Sequence, residues 1–327
     1  QGVLSQGFGQ GALWLKLRID PRIRAQGVLE PERLILRIRP VYLDDIQLFD
    51  PLAPADRPGM TGDRQHPRGQ AFEGLDFMLP IPRGDVPRDI WLRLESTSTR
   101  QIAVQALNYD DLRRLTHTQQ LMFALYIGVI LIFMVWGLVY WLFSRERVIG
   151  AFGLEQAMAL VFALASLGYS RVYWPAAWPA QWLDMTTSVF SCLAVSTAVY
   201  FHVVLTREFD PPRWIVWLYR GMLGLLPVKL LLLTQDDRFI RVALNINMLE
   251  VLLAPAVFFM AVLLAKGWRR PQPRPQALLP KWVLVGFYSF LLSMLLLAAL
   301  PGLGLSSGGE VPLYLVQAHG LVTAFLI

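Results

Sequence analysis

The chain has 327 residues, 55% of them hydrophobic, and a mean hydropathy of +0.44, which is more apolar surface than one soluble core of this length buries. The net charge is +6, but the arginines are not gathered into one run, so a nucleic acid is not an expected partner. The single cysteine, Cys192, excludes a disulfide framework and a cysteine-based metal site.

Charged residues divide the chain into a soluble part and a membrane part. Residues 1–119 contain 16 Lys/Arg and 15 Asp/Glu, which leaves 14 of the 30 Lys/Arg and 9 of the 24 Asp/Glu for the longer remainder. We therefore predict an extracytoplasmic domain over 1–110, a linker over 111–120 and a membrane domain over 121–327. The first residue is not methionine and the last residues form an apolar run, so we expect a removed signal peptide and a further C-terminal part.

Short segments in the N-terminal part alternate between apolar and polar residues, as strands with one buried face do. Alternate residues of each segment are apolar and would share one face, and the charged or aromatic residues fall on the other face. The segments are ALWLKLRI at 12–19, RLILRIR at 33–39, IWLRLES at 90–96 and QIAVQAL at 101–107. Stretches rich in Gly, Pro and Asp separate them, so we predict an all-β antiparallel sandwich or jelly roll.

The polar positions of these strands are the candidate ligand-binding surface. If the strands pair, seven side chains gather on one face: Trp14, Lys16, Arg18, Arg37, Arg39, Trp91 and Arg93. Indoles can stack on a sugar ring and guanidinium groups can hold carboxylates or hydroxyls, so we expect a small polar ligand, a carbohydrate or a carboxylate. The alternative is a solvated sheet face on which arginine side chains lie over the tryptophans.

Seven apolar segments are long enough to cross a lipid bilayer, which takes roughly 17 to 25 residues. They lie at 121–143, 149–169, 183–205, 214–234, 239–265, 282–300 and 312–327. The first segment has no charged residue, whereas the fourth and fifth carry charges. We predict an α-helical bundle of seven transmembrane helices, with six as the alternative.

The loops between these spans determine the predicted orientation, because short cytoplasmic loops are enriched in Lys and Arg. With residues 1–110 outside, nine basic residues lie in the inner loops and three in the outer loops. The inner ones are Arg145, Arg147, Arg207, Arg213, Lys266, Arg269, Arg270, Arg274 and Lys281, and the outer ones are Arg171, Arg238 and Arg241. We therefore predict a bacterial inner-membrane protein with a periplasmic N-terminal domain and a cytoplasmic C-terminus.

Polar residues inside the spans are further candidates for function, because ionisable groups in a bilayer usually pair toward the bundle interior. They are Glu155, Asp184, Arg220, Lys229, Glu250 and His319. Glu155 and Arg220 lie at similar predicted depths, so we expect them to form a buried pair. The alternative is that Arg220 and Lys229 extend to the membrane surfaces. For His319 we expect a hydrogen bond between helices.

Two groups of segments resemble a known receptor family. GALWLKLRI, RPVYLDDIQLFD, TGDRQHPRGQAFEGLDFMLPI and DIWLRLESTST are similar to the jelly-roll extracellular domain of the bacterial seven-transmembrane receptors with diverse intracellular signalling modules. The stretch from RRLTHTQQLMFALYIGVILIF to GYSRVYWP resembles the start of that family's membrane domain. Compared with the family pattern the jelly roll starts late, so we expect that this sequence lacks its first strand, and we likewise expect that the cytoplasmic output module lies outside this sequence.

The resemblance implies a membrane receptor in which a ligand bound outside biases a cytoplasmic histidine kinase or diguanylate cyclase, and it implies a homodimer at full length. The family's extracellular domain is similar to carbohydrate-binding jelly rolls, which favours a sugar as ligand. A transporter with an accessory periplasmic domain is the alternative, because charged residues lie within the spans. A structural, surface-binding anchor is a third hypothesis. The sequence contains no catalytic motif, and we predict no cofactor and no metal site.

Overall fold

The computed structural model describes residues 3–7, 9, 11–20, 22–25, 28–31, 34–53, 59–65, 74–175, 177–207, 211–264, 281–302, 320 and 322–323. The chain forms two compact units. The first unit contains residues 1–124, 164–187 and 300–310, and the second contains residues 125–163, 188–299 and 311–327. The strands belong to the first unit.

The strands form two four-stranded antiparallel sheets and one two-stranded hairpin. They are β1 (Val3–Ser5), β2 (Leu13–Ile19), β3 (Arg22–Ala25), β4 (Val28–Pro31), β5 (Ile35–Arg39), β6 (Asp45–Phe49), β7 (Gly59–Thr61), β8 (Phe77–Pro80), β9 (Arg88–Glu95) and β10 (Gln101–Leu107). One sheet has the order β1-β10-β5-β8 and the other β2-β9-β6-β7, while β3 pairs with β4. Strands β2, β5, β9 and β10 coincide with the four predicted segments, and the predicted sandwich is confirmed.

The core of the sandwich contains alternate apolar residues from both sheets, because successive side chains of a strand point to opposite faces. Leu15 of β2 lies opposite Leu92 of β9, which in turn lies opposite Leu48 of β6. These leucines pack in one cluster with Ile38 and Phe77 of the other sheet. The polar alternate positions of β2, β9 and β6 are therefore left on the outer face of their sheet.

Strand β5 is buried on both of its faces, which differs from the predicted alternation. All five of its residues are buried. Ile35 packs in a cluster with Met78 and with Leu112, which lies in the first turns of helix α1 (Tyr109–Ser144). The side of β5 that we expected to be solvated is therefore covered by α1.

The helices follow the sandwich in sequence. After α1 they are α2 (Arg147–Ser166), α3 (Tyr169–Val172), α4 (Gln181–Thr206), α5 (Arg213–Leu233), α6 (Asp237–Leu264) and α7 (Lys281–Gly302). All except the short α3 are long and apolar enough to cross a membrane, and these six match six of the predicted spans. The seventh predicted span, 312–327, lies outside the described residues except for Gly320, Val322 and Thr323. Residues 111–120, predicted as a linker, are part of α1.

Helices α1 and α2 approach each other closely at a pair of glycines in the second unit. A Cβ atom on Gly137 would lie 3.0 Å from the ring of Phe152. A Cβ atom on Gly153 would lie 3.2 Å from the backbone nitrogen of Leu138. Small residues let helix backbones pack closely in a bilayer, where lipid gives no hydrophobic drive for association. Phe152 then packs with Phe201 in the apolar core of this unit.

Candidate functional site

Five of the seven predicted surface residues lie together on the exposed side of the β2-β9-β6-β7 sheet, which we call the outer sheet face. Trp14, Lys16 and Arg18 come from β2, and Trp91 and Arg93 come from β9. The register places Trp14 opposite Arg93 and Lys16 opposite Trp91. Trp14 is 51% exposed and Trp91 is 42% exposed. The fold therefore brings two exposed indoles and three basic groups to one surface.

Strand β6 extends the outer sheet face with residues that sequence reasoning missed. Gln47 lies opposite Arg93, and Phe49 lies opposite Trp91. The ring of Phe49 is 5.4 Å from the ring of Trp14. The face thus has one row that contains Trp14, Arg93 and Gln47, and a second row that contains Lys16, Trp91 and Phe49.

A signal for these β6 residues is present in the sequence. In DIQLF the polar or aromatic residues Asp45, Gln47 and Phe49 alternate with Ile46 and Leu48, which are buried. The same alternation identified the faces of β2 and β9, so it would have placed Gln47 and Phe49 on the same side.

The basic groups of β2 are held by an aspartate of β9. The Nζ of Lys16 lies 2.9 Å from Asp89, and the Nη1 of Arg18 lies 3.2 Å from it. The hydrogen bond from Lys16, with a weaker one from Arg18, holds the pKa of the Asp89 carboxyl below its usual range. Lys16 also lies 5.6 Å from the ring of Trp91. A carboxylate ligand would have to compete with Asp89 for these cations, whereas a ligand with neutral hydroxyl groups would not.

Arg37 and Arg39 do not join the outer sheet face, so their assignment to it was wrong. Both lie on β5 in the opposite sheet and are buried, 3% and 5% exposed. The Nε of Arg37 donates to Asp76 at 2.5 Å, and its Nη1 donates to Gln105 at 3.2 Å. Gln119 of α1 accepts a further hydrogen bond from Arg37. Because α1 covers this side of β5, Arg37 is part of an internal polar network.

The predicted pair of Glu155 and Arg220 is also wrong. Thr323 donates a hydrogen bond of 3.1 Å to Glu155 in the interior of the second unit. Arg220 is exposed, and its guanidinium lies 5.1 Å from the ring of Trp217 on the same helix. The two residues have similar depths along their helices, but depth alone does not determine which side of a helix faces its neighbour.

Lys229 forms a buried ion pair with Glu250 in the helical unit. Its Nζ lies 2.5 Å from Glu250 and donates to Asn247 at 2.9 Å. Ser196 of α4 accepts a longer contact of 3.5 Å from the same nitrogen. Lys229 and Glu250 are 0% and 2% exposed, which contradicts the alternative that Lys229 extends to the membrane surface. A polar network therefore joins α4, α5 and α6.

Two family models match this chain. The model described as 7TM diverse intracellular signalling matches residues 119–327, which is more than half of the chain. The chain belongs to this receptor family. The model described as 7TMR-DISM extracellular 2 matches residues 1–107, so the N-terminal sandwich is the family's extracellular domain. The predicted resemblance is confirmed. No curated protein and no solved structure matches the chain.

Family membership makes this protein a membrane receptor for signalling, with an extracellular domain before its membrane domain. Neither match supports the transporter alternative. The matches specify neither the ligand nor the output module.

The receptor's first unit also contains three carboxylates that could together hold a metal ion. Oxygens of Asp44, Asp63 and Asp184 lie within 4.8 Å of one another. Arg64 forms ion pairs with two of them and offsets one of the negative charges, since it lies 2.9 Å from Asp44 and 2.9 Å from Asp184. Burial and the charges of Asp184 and Asp44 raise the pKa of Asp63 well above its usual range. The three aspartates are far apart in the sequence, so no spacing motif could have predicted this cluster.

The receptor's helical unit contains a cavity of about 80 Å³ beside the buried ion pair. Glu155, His202, Glu250 and Tyr126 contribute to its otherwise mostly apolar lining. A cavity of this size has room for several water molecules, since one water needs at least roughly 10 to 15 Å³, and the few polar side chains could hold them. His319, the remaining predicted intramembrane candidate, lies outside the described residues.

Proposed function

We propose that this receptor binds a small carbohydrate on the outer sheet face and transmits the signal to a cytoplasmic histidine kinase or diguanylate cyclase. The observation that carries the proposal is the exposure of two indoles, Trp14 and Trp91, on one sheet face. Large apolar side chains this exposed, among polar neighbours, indicate a contact surface. The flat face of a sugar ring is the complement of an indole.

The arrangement of the rows supports a ligand about the size of a sugar. Trp14 and Trp91 are diagonal neighbours on adjacent strands, a separation of about 7 to 8 Å in antiparallel sheets. Polar groups between and beside them are held in position: Arg93 is paired with Glu95, and Gln47 donates to Asp45 at 2.9 Å. Such oriented donors and acceptors can bind hydroxyl groups while the indoles stack on the ring.

We also propose that the receptor lies in the inner membrane and that the full-length protein is a homodimer. The excess of basic residues in the loops that would be cytoplasmic supports an inner-membrane receptor with a cytoplasmic C-terminus. The family's use of intracellular signalling modules supports an output enzyme and a homodimer as the full-length assembly. The buried network around Lys229 joins three helices and would have to persist or rearrange when the bundle changes its packing.

Glycan-array screening and calorimetry of the full chain in lipid nanodiscs test the ligand. We expect a sugar to bind the wild type, and we expect Trp91→Ala and Trp14→Ala each to weaken binding by about 30-fold, as buried aromatic contacts do. Trp217→Ala is the matched control, because it removes an exposed indole from the other unit. Absence of any ligand, or equal binding by Trp91→Ala, would mean that the outer sheet face is only a solvated surface.

A further inference from the structure

A second possible site is a cleft of about 790 Å³ in the helical unit. It is lined by the end of α1, the start of α2 and the end of α4. Small-molecule sites have volumes of about 300 to 1,000 Å³, so the cleft is large enough for a ligand. It shares no lining residue with the cavity beside Glu250.

The walls of the cleft are suited to a lipid. Its acyl chain would lie against apolar side chains, and its headgroup would lie near an aromatic ring. Leu138, Leu154 and Val203 give it apolar sides. Trp141 lies directly on α2, because a Cβ atom on Gly150 would be only 2.6 Å from its indole. Tryptophan is enriched at the level of lipid headgroups, so this end of the cleft belongs at the membrane surface.

The charges at that end favour an anion. Arg147 is the first residue of α2, and Arg207 directly follows the last residue of α4. Both line the cleft and are exposed, and neither forms an ion pair with a residue that the structure describes. Among the lining residues that the structure describes, Glu146 is the single acidic side chain, so the two arginines outweigh it there. The first backbone N–H groups of α2 have no partner inside the helix and add to the attraction for an anion.

We propose that this cleft binds an anionic glycerophospholipid, whose phosphate lies at Arg147 and Arg207 and whose acyl chain lies against Leu138 and Val203. Guanidinium groups bind phosphate through charge-assisted hydrogen bonds. Basic pockets between transmembrane helices recognise such headgroups. The predicted orientation would place this lipid in the cytoplasmic leaflet. Binding in detergent depends neither on that orientation nor on a ligand at the outer sheet face.

Native mass spectrometry of the delipidated full chain in detergent tests the lipid. The titrants are phosphatidylglycerol, phosphatidylcholine with the same acyl chains, and inorganic phosphate. We expect phosphatidylglycerol to be retained about tenfold more strongly than phosphatidylcholine. In a parallel thermal-unfolding measurement of the same sample, we expect inorganic phosphate to give no stabilisation. Equal retention of both lipids would leave only an apolar groove, and stabilisation by phosphate alone would indicate a soluble anion site. Either result overturns the proposal.

Charge variants separate a specific site from general attraction. We expect Arg147→Gln and Arg207→Gln each to lower retention of phosphatidylglycerol about tenfold, and Glu146→Gln to raise it. Arg220→Gln is the matched control, because Arg220 is an exposed arginine that does not line the cleft. All four positions are exposed, so the variants keep the packed core intact. A loss for Arg220→Gln as large as for Arg147→Gln would show that only net charge matters and would refute the site.

Discussion

The buried pair of Lys229 and Glu250 makes the loss of one charge more costly than the loss of both. A buried charge without its partner keeps its desolvation penalty and loses the attraction that offsets it. We expect Lys229→Met to lower the free energy of unfolding by about 3 to 5 kcal/mol, and the double variant Lys229→Met/Glu250→Met to be nearly neutral. SDS-induced unfolding of the purified receptor in detergent micelles measures the stabilities of both variants.

Arg220→Met on the same helix is the control for this pair. Arg220 is exposed and rests on Trp217, so its replacement should change the stability by no more than about 0.5 kcal/mol. If Lys229→Met is no less stable than Arg220→Met, the ion pair does not contribute to the folded receptor.

Asp89 makes the folding stability of the receptor depend on pH. The pKa of its carboxyl is depressed by Lys16 and Arg18. The folded state therefore favours the ionised form, and the resulting stability is present above the unfolded pKa and lost as the pH falls through the folded pKa. We expect Asp89→Asn to be less stable than the wild type at neutral pH and equal to it in strong acid. The difference should be small and should shrink with added salt, because this carboxyl is partly exposed.

Thermal unfolding of the wild type and of Asp89→Asn, followed from neutral pH to strong acid at low ionic strength, measures this difference in stability. A difference that stays constant down to the acid limit would mean that the substitution acts through packing and not through charge.

At the level of single elements, the close approach of α1 and α2 depends on Gly137. Gly137→Leu would force its side chain into the ring of Phe152, and overpacking of this kind costs about 1 to 3 kcal/mol. Gly128→Leu is the matched control on the same helix, since a Cβ atom there meets nothing within 4 Å. Both substitutions gain the same helix propensity, so the difference between their SDS-unfolding free energies isolates the helix contact. Equal stabilities would contradict the close contact.

The sequence predicts these elements well where their patterns are local. Alternation identified β2 and β9, and apolar length identified six of the helices, because each pattern reflects the burial of one segment. Arg37 escaped this reasoning because the cover on its side of β5 comes from α1, which is distant in the sequence. The partner of Lys229 escaped it because the rotation of each helix about its own axis determines which side chains meet.

At the level of the whole molecule, the order of the two domains indicated more about function than any single residue did. The segments of each domain carried the resemblance that the family matches confirm. The candidate ligand surface was predicted less completely, because the sequence does not show that β5 lies in the opposite sheet, which removes Arg37 and Arg39 from that surface.

The orientation of the receptor is the last property that a single measurement can test. In the proposed topology the outer sheet face is periplasmic and the loop around Gln272 is cytoplasmic, as the nine-to-three distribution of basic residues indicates. We expect an impermeant maleimide to label Asp85→Cys in cells whose outer membrane alone is permeabilised. Gln272→Cys should react only after the inner membrane is disrupted. The native Cys192 is fully buried and serves as the unlabelled background. Labelling of Gln272→Cys before that disruption would invert the topology, and it would move the proposed lipid cleft to the outer leaflet without affecting lipid binding in detergent.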